Sequence, residues 1–165
     1  MDALTIITHS AEETAALGTC LGECVHTGDV IVLAGDLGAG KTQLAGGLAR
    51  ALGISEPVTS PTFTVLKLYE GGRIPLYHFD LYRLDKAEQL DDLDFWDVVG
   101  AAAPGTPTAP GIVLIEWGDM FDEVTKRADL SITLRISSDP QTRSIELSPH
   151  TPRSTRILQQ WAPTS

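Results

Sequence analysis

Hydrophobic and polar positions change period several times along this chain, and each change predicts an element. Leu4-Thr5-Ile6-Ile7-Thr8 is rich in β-branched residues and predicts a first strand. Ser10 with Glu13 three residues on is a capping box, and Leu17, Cys20, Leu21, Cys24 and Val25 then form an i, i+3, i+4 apolar face. That helix is expected to end at Gly28. Asp29 to Ala34 is a short apolar run that reads as a buried strand. Gln43 to Leu52 is helical, with Leu44, Leu48, Ala51 and Leu52 on one face and Gly53 as its C-cap. Phe63 to Tyr69 and Ile74 to Leu84 predict two strands joined by a Gly71-Gly72 turn. In the second of them Leu76, His78, Asp80 and Tyr82 share one face, and Tyr77, Phe79, Leu81 and Arg83 the other. Lys86 to Val99 predicts one helix anchored by Leu90, Leu93 and Trp96. The run 101–110 holds three prolines among small residues and reads as an irregular surface loop without catalytic residues. Gly111 to Trp117 predicts a second buried strand, 129–136 and 141–147 a terminal hairpin, and 151–161 a closing helix with a frayed end beyond it.

Strand, loop and helix in alternation, followed by hairpins, predict an α/β fold. The expected architecture is a P-loop NTPase-like three-layer sandwich with a central mixed β-sheet. Parallel strands should carry residues 30–35 and 112–116, and the 63–84 and 129–147 pairs should extend the sheet as antiparallel hairpins. Residues 1–165 are expected to form a single domain.

Composition narrows the function. A hydrophobic share of 42 % and a charged share of 21 % are ordinary for a globular protein. The formal net charge of −10 argues against an extended basic surface for nucleic acid, so a partner would have to hold any RNA. No apolar run approaches the roughly 20 residues of a membrane span. The N-terminus lacks the basic and apolar regions of a secretory signal, so the expected location is the cytoplasm. Cys20 and Cys24, the two cysteines of the chain, read as buried reduced thiols.

Chemistry concentrates at Gly35-Asp36-Leu37-Gly38-Ala39-Gly40-Lys41-Thr42, which fits G-x-x-x-x-G-K-[ST] between a strand and a helix. Gly38 and Gly40 allow positive φ and a close backbone approach to phosphate. Successive amides form an anion nest at the positive end of the following helix. Lys41 supplies a point charge for the β- and γ-phosphates, and the Thr42 hydroxyl can ligate Mg²⁺. Lys41 is expected to sit exposed in the loop and to solvate freely without phosphate. The alternative is a glycine-rich turn that merely caps a strand.

Other positions carry less specific signals. Ile112-Val113-Leu114-Ile115 running into Glu116 is the Walker B arrangement, a buried strand that ends in a carboxylate able to approach the same metal. Trp117 beside it could be core or could cover the nucleotide or a partner. Asp80 inside an apolar strand must be paired or sit at a site, with an ion pair to Arg83 as the plain reading. The hydroxyl-rich segment from Val58 to Thr64 is either a nucleotide-sensing switch or a connecting loop. The Thr8-His9-Ser10 corner reads by itself as simple capping. Arg143 could reach a phosphate or decorate an edge strand.

Gly35–Thr42, Ser60-Pro61-Thr62-Phe63, His78-Phe79-Asp80-Leu81-Tyr82-Arg83-Leu84 and Ile115-Glu116-Trp117-Gly118 together resemble the TsaE family, also called YjeE-like ATPases, in order and spacing over nearly the whole chain. The resemblance implies a bacterial P-loop ATPase needed for threonylcarbamoyladenosine at position 37 of tRNAs reading ANN codons. It implies work with the TsaB–TsaD complex, in which TsaD carries the transferase chemistry and ATP hydrolysis resets the complex. It places ATP phosphates on Leu37, Gly38, Ala39, Gly40, Lys41 and Thr42, and Mg²⁺ on Thr42 and Glu116. It also places Asp80 at an acidic position important for activity, Thr62 in the switch-like loop, and the Thr8–Ser10 corner at the nucleotide base. The loop 101–110 looks longer than usual for the family. From these roles Glu116 is expected to be the metal-side acid, and Asp80 to orient the attacking water or a metal-bound water. A small-molecule kinase and a nucleotide-binding protein without turnover are the other readings; no arginine-rich lid segment lies between the loop and Glu116.

Overall fold

The computed structural model describes residues 3–61, 64–100 and 109–161. Seven strands form one mixed sheet in the order β1-β7-β6-β2-β5-β4-β3. They are β1 (Leu4–Thr8), β2 (Val30–Ala34), β3 (Leu66–Tyr69), β4 (Leu76–Asp80), β5 (Ile112–Glu116), β6 (Leu130–Ile136) and β7 (Arg143–Pro149). The inner four, β6, β2, β5 and β4, run parallel; β7, β1 and β3 join antiparallel at the two flanks. The sheet is thus the mixed one expected, with the 112–116 strand hydrogen-bonded directly to the 30–34 strand.

The central strands are continuous apolar runs because both of their faces are covered. Ile31 and Leu33 of β2 and Ile112 and Leu114 of β5 pack under helices α1 (Ala11–Cys24), α2 (Lys41–Ala51) and α6 (Pro152–Trp161). Val30, Val32, Val113 and Ile115 pack on the opposite face, against α3 (Glu88–Asp92), α4 (Phe95–Val99) and α5 (Asp122–Thr125). Burial of each such side chain contributes about 1.5–3 kcal/mol. Helix, sheet and helix make the three layers. No helix among the described residues is long and apolar enough to cross a membrane.

The alternation of β4 decides the site. Leu76 joins the α1–α2 layer while Phe79 joins the other, so His78 and Asp80 face α2. Glu116 shares the face of Ile112 and Leu114 on β5, and Asp80 and Glu116 are register partners.

Several elements differ from their sequence expectation. Among the described residues the predicted strands 63–69 and 74–84 shorten to β3 and β4, so Tyr82 and Arg83 lie past the strand. The Tyr82 amide donates to Asp80 Oδ1 at 3.0 Å and turns the chain there. The predicted helix 86–99 divides into α3 and α4, because Asp94 adopts φ 55°, a left-handed conformation that Asp tolerates. The break lets Leu90, Phe95 and Val99 all reach the core, where Phe95 meets Phe79 at 4.9 Å between ring centroids. Helix α1 ends at Cys24 rather than continuing to Gly28, because Val25 turns extended there. Cys20 and Cys24 are free but half-buried rather than both inside. The capping box is displaced by one residue: Ser10 Oγ accepts from the Glu13 amide, whereas Glu13 Oε2 accepts from the amide of His9.

Helices α1 and α2 touch backbone to backbone. A Cβ on Gly18 would fall 2.1 Å from the Leu44 carbonyl oxygen, and one on Gly47 would fall 1.9 Å from that of Ala15. Thr19 Oγ1 donates within 3.2 Å to the carbonyls of both Ala15 and Gly47. This contact fixes the N-terminus of α1 beside the loop that begins α2.

Candidate functional site

The loop between β2 and α2 is shaped by glycine. Gly38 has φ 82° and Gly40, the N-cap of α2, has φ 105°, conformations that are cheap only without a Cβ. No side chain caps α2, so its first-turn amides and the positive end of its dipole remain for an anion. Arg143 of β7 grips this loop: Nε donates to the Ala39 carbonyl at 2.9 Å and Nη2 to that of Gly38 at 3.2 Å. Arg143 is therefore a clamp on the loop backbone, a role the sequence alternatives did not include. Ala39 is buried beneath the loop, while Leu37 stands exposed at its tip.

Lys41 is not the free, solvated side chain expected. It is only 6 % exposed, its Nζ donates to the Gly35 carbonyl at 2.6 Å, and it lies 3.7 Å from the centre of the Trp117 ring. Burial holds its ammonium below the usual lysine range; the charges of Glu116, Asp80, Asp119 and Asp36 pull in the opposite direction. The aromatic cover explains the difference. Trp117 directly follows β5 with φ 63°, which costs a non-glycine residue about 1–3 kcal/mol. A cation–π contact contributes roughly 0.5–2 kcal/mol against that cost. Tyr82 adds a tilted ring contact to Trp117 at 4.9 Å. Trp117 is thus half-buried: it packs against the core layer under β5 and covers the loop lysine as well.

Two carboxylates stand side by side below the loop. Asp80 Oδ2 accepts from Ser60 Oγ at 2.6 Å, and Oδ1 accepts the Tyr82 amide. Glu116 Oε2 lies 2.6 Å from His78 Nε2, with both side chains buried. The immediate partner of the Glu116 carboxylate is thus an imidazole. Ser60 and His78 were not named as site residues from the sequence. The alternation Leu76, His78, Asp80 already placed His78 on the face of Asp80 and was the available signal. Ser60 lies twenty residues from Asp80 in sequence, and no local pattern marks that contact.

Gly38, Gly40, Lys41 and Thr42 share a cavity of about 380 Å³ with Ser60, Asp80, Glu116 and Trp117. Gly38, Gly40 and Gln43 also line a second cavity of about 510 Å³, together with Ser10, Thr14 and Arg143. Ser10 therefore both caps α1 and faces the loop. Thr8 Oγ1, behind it, is buried against Thr14 Oγ1 at 2.8 Å. Thr62, the residue singled out in the switch-like segment, lies outside the described residues, as do Phe63 and residues 101–108. The segment re-enters the sheet through Val65, whose φ of 67° is rare for a β-branched residue.

A mixed sheet with a glycine loop leading into α2, and acids ending the two neighbouring parallel strands, defines a P-loop NTPase-like α/β fold. The particular family follows from comparison with known proteins. The family model described as "Threonylcarbamoyl adenosine biosynthesis protein TsaE" matches residues 8–145. A protein of Nostoc sp. called "tRNA threonylcarbamoyladenosine biosynthesis protein TsaE" is 44 % identical over 140 residues, 84 % of this chain and 81 % of that one. A Treponema pallidum protein of the same name is 41 % identical over 133 residues, 81 % and 92 % of the two chains. The crystal structure of Bacillus subtilis YdiB superimposes with a TM-score of 0.75 at 29 % identity, covering 97 % of this chain and 94 % of that one. The chain belongs to the TsaE family of tRNA threonylcarbamoyladenosine biosynthesis proteins.

Proposed function

We propose that this chain, as a single domain, hydrolyses ATP in the cytoplasm. It would do so for the threonylcarbamoyladenosine modification at position 37 of tRNAs reading ANN codons, acting with the TsaB–TsaD complex, which its ATP hydrolysis resets. The observation that carries the reading is convergence: Lys41, Thr42, Asp80 and Glu116 line one cavity with Gly38 and Gly40, at the N-terminus of a helix that no side chain caps. The amides of residues 37–42 would receive the phosphates, and the second cavity, beside Ser10, the nucleoside. The net charge of −10 fits a protein that meets tRNA through its partners.

Magnesium fits this donor set. Thr42, Asp80 and Glu116 present only oxygens to the cavity, as a hard cation requires, and two neighbouring carboxylates on one face call for positive charge between them. Thr42 and Glu116 would hold the ion, which when bound neutralises charge on the β- and γ-phosphates. Asp80, fixed by Ser60 and the Tyr82 amide, orients the attacking water. Lys41 must leave the Gly35 carbonyl to reach a phosphate, so binding exchanges one hydrogen bond for a charge-assisted one.

ATP mixed with the pure chain should release phosphate slowly, since among the described residues no arginine lines the cavity of Lys41, Asp80 and Glu116, and an arginine finger is worth about 10³–10⁵ in rate where it is used. Added TsaB and TsaD should accelerate release. Rapid turnover that ignores these partners contradicts the reading, and phosphate arriving on an added small-molecule acceptor makes the chain a kinase.

Lys41→Ala should weaken ATP binding by about 10²-fold in titration calorimetry, the usual loss when one member of a buried charge pair is removed. The fold should survive, because the substitution also relieves the cost of burying an ammonium. Unchanged affinity would reject the phosphate-cradle role.

A further inference from the structure

His78 lies in mid-strand on β4, fully buried, with no place in the chemistry described above. Three observations give it one. Its Nε2 is 2.6 Å from Glu116 Oε2. Its register partner on β5 is Leu114, two residues before Glu116, so the contact is a diagonal one between same-face neighbours of adjacent strands. Its Nδ1 is buried with no hydrogen-bond partner among the described residues.

The first and last of these facts place the proton. A buried N–H without an acceptor is costly, and a ring lone pair held against a carboxylate oxygen is repulsive. A proton on Nδ1 would leave that donor orphaned and aim the Nε2 lone pair at a carboxylate oxygen. A proton on Nε2 satisfies Glu116 and leaves only the lone pair of Nδ1 unmatched. The geometry therefore has Nε2–H donating to Oε2.

We propose that His78 is a positioning residue for Glu116: its Nε2–H pins one carboxylate oxygen and so holds the acid in place on the cavity that Thr42 lines. The inference rests on the reading of Glu116 as the metal-side acid. Glu116 needs such a restraint because Asp80 stands directly beside it in register, and two like charges would otherwise swing apart. Hydrogen bonds of this kind from residues behind a ligand fix its orientation, and losing one typically costs 10–100-fold in metal affinity. The His78–Glu116 contact differs from the Ser60–Asp80 one because its donor is fully buried behind Glu116, whereas Ser60 is exposed.

The test is the magnesium response of ATP affinity, taken as the ratio of dissociation constants without and with Mg²⁺ by calorimetry. It is measured for the wild-type chain, Glu116→Gln, His78→Gln, His78→Asn and the double variant His78→Asn with Glu116→Gln. The Gln amide nitrogen reaches the place of Nε2, while that of Asn stops near Nδ1. His78→Asn should therefore lose about 10–100-fold of the response, and His78→Gln should restore most of it. In the Glu116→Gln background His78→Asn should add nothing. Thermal melting run alongside separates this from a purely structural role, which would lower the melting temperature of both His78 variants and leave the response intact. A wild-type response retained in His78→Asn overturns the proposal, as does an equal loss in His78→Asn and His78→Gln. A wild-type chain without any response, matched by Glu116→Gln, overturns the reading of Glu116 beneath it.

Discussion

Asp80→Asn should slow ATP hydrolysis by about 10²–10⁴-fold, the range for a positioned group that handles the proton of the attacking water. The substitution keeps the size of the side chain, and its oxygen can still accept the Tyr82 amide, so the turn after β4 should hold. What it removes is negative charge beside the phosphate cavity. Asp80 is not one of the two residues proposed to hold the ion, so most of the magnesium response of ATP binding should remain. Glu116→Ala should give the converse pattern. It deletes the acid that shares the cavity with Thr42 and leaves His78 without its partner, so ATP affinity should lose most of its response to magnesium. Calorimetry with and without Mg²⁺, together with single-turnover phosphate release, separates the two. Exchanged phenotypes would reverse the two roles. Unaltered turnover in both variants would make the acids structural partners of Ser60 and His78 and nothing more.

Gly47→Ala should destabilise the protein by about 4 kcal/mol, near the upper end for a single substitution. Alanine would improve helix propensity by roughly 1 kcal/mol, so propensity alone predicts the opposite sign. Sterics win because the new Cβ would lie 1.9 Å from the Ala15 carbonyl oxygen and 2.8 Å from its carbon. These are backbone atoms of α1 and cannot rotate away. Helix α1 would have to withdraw from α2, taking Ser10 and the second cavity with it. Gly46 is the control: a Cβ there meets only the end of the Arg50 side chain, at 3.8 Å. Gly46→Ala should be neutral or stabilising by about 0.5–1 kcal/mol. Urea denaturation of the two variants measures the contrast, and equal midpoints would refute the helix-contact argument.

Both predictions use information of different origin. The glycine loop, the strand before it and the helix after it were legible because they are local. Each lies within some twenty consecutive residues, and its chemistry is set by residue type and spacing. The acid at the end of β5 was legible for the same reason. The strand edges at 63–84 and the break at Asp94 were not. Alternation continues past Asp80 in the sequence, but the Tyr82 amide bonds back to the Asp80 carboxylate and ends the strand. The heptad-like anchors Leu90, Leu93 and Trp96 suggested one helix, whereas packing on Phe79 favoured two short ones.

The sequence by itself determined the α/β class, the phosphate-type loop and the two acids, because backbone conformation and charge at these positions follow from residues close by. Only the tertiary structure decided who faces whom. It paired Glu116 with His78, seated Ser60 on Asp80, closed Arg143 around the Gly38 and Ala39 carbonyls, and laid Trp117 over Lys41. Each of these contacts joins residues 20 to 105 positions apart. A buried donor or charge takes whatever partner the sheet register brings to it, and register is a property of the assembled sheet rather than of any one strand.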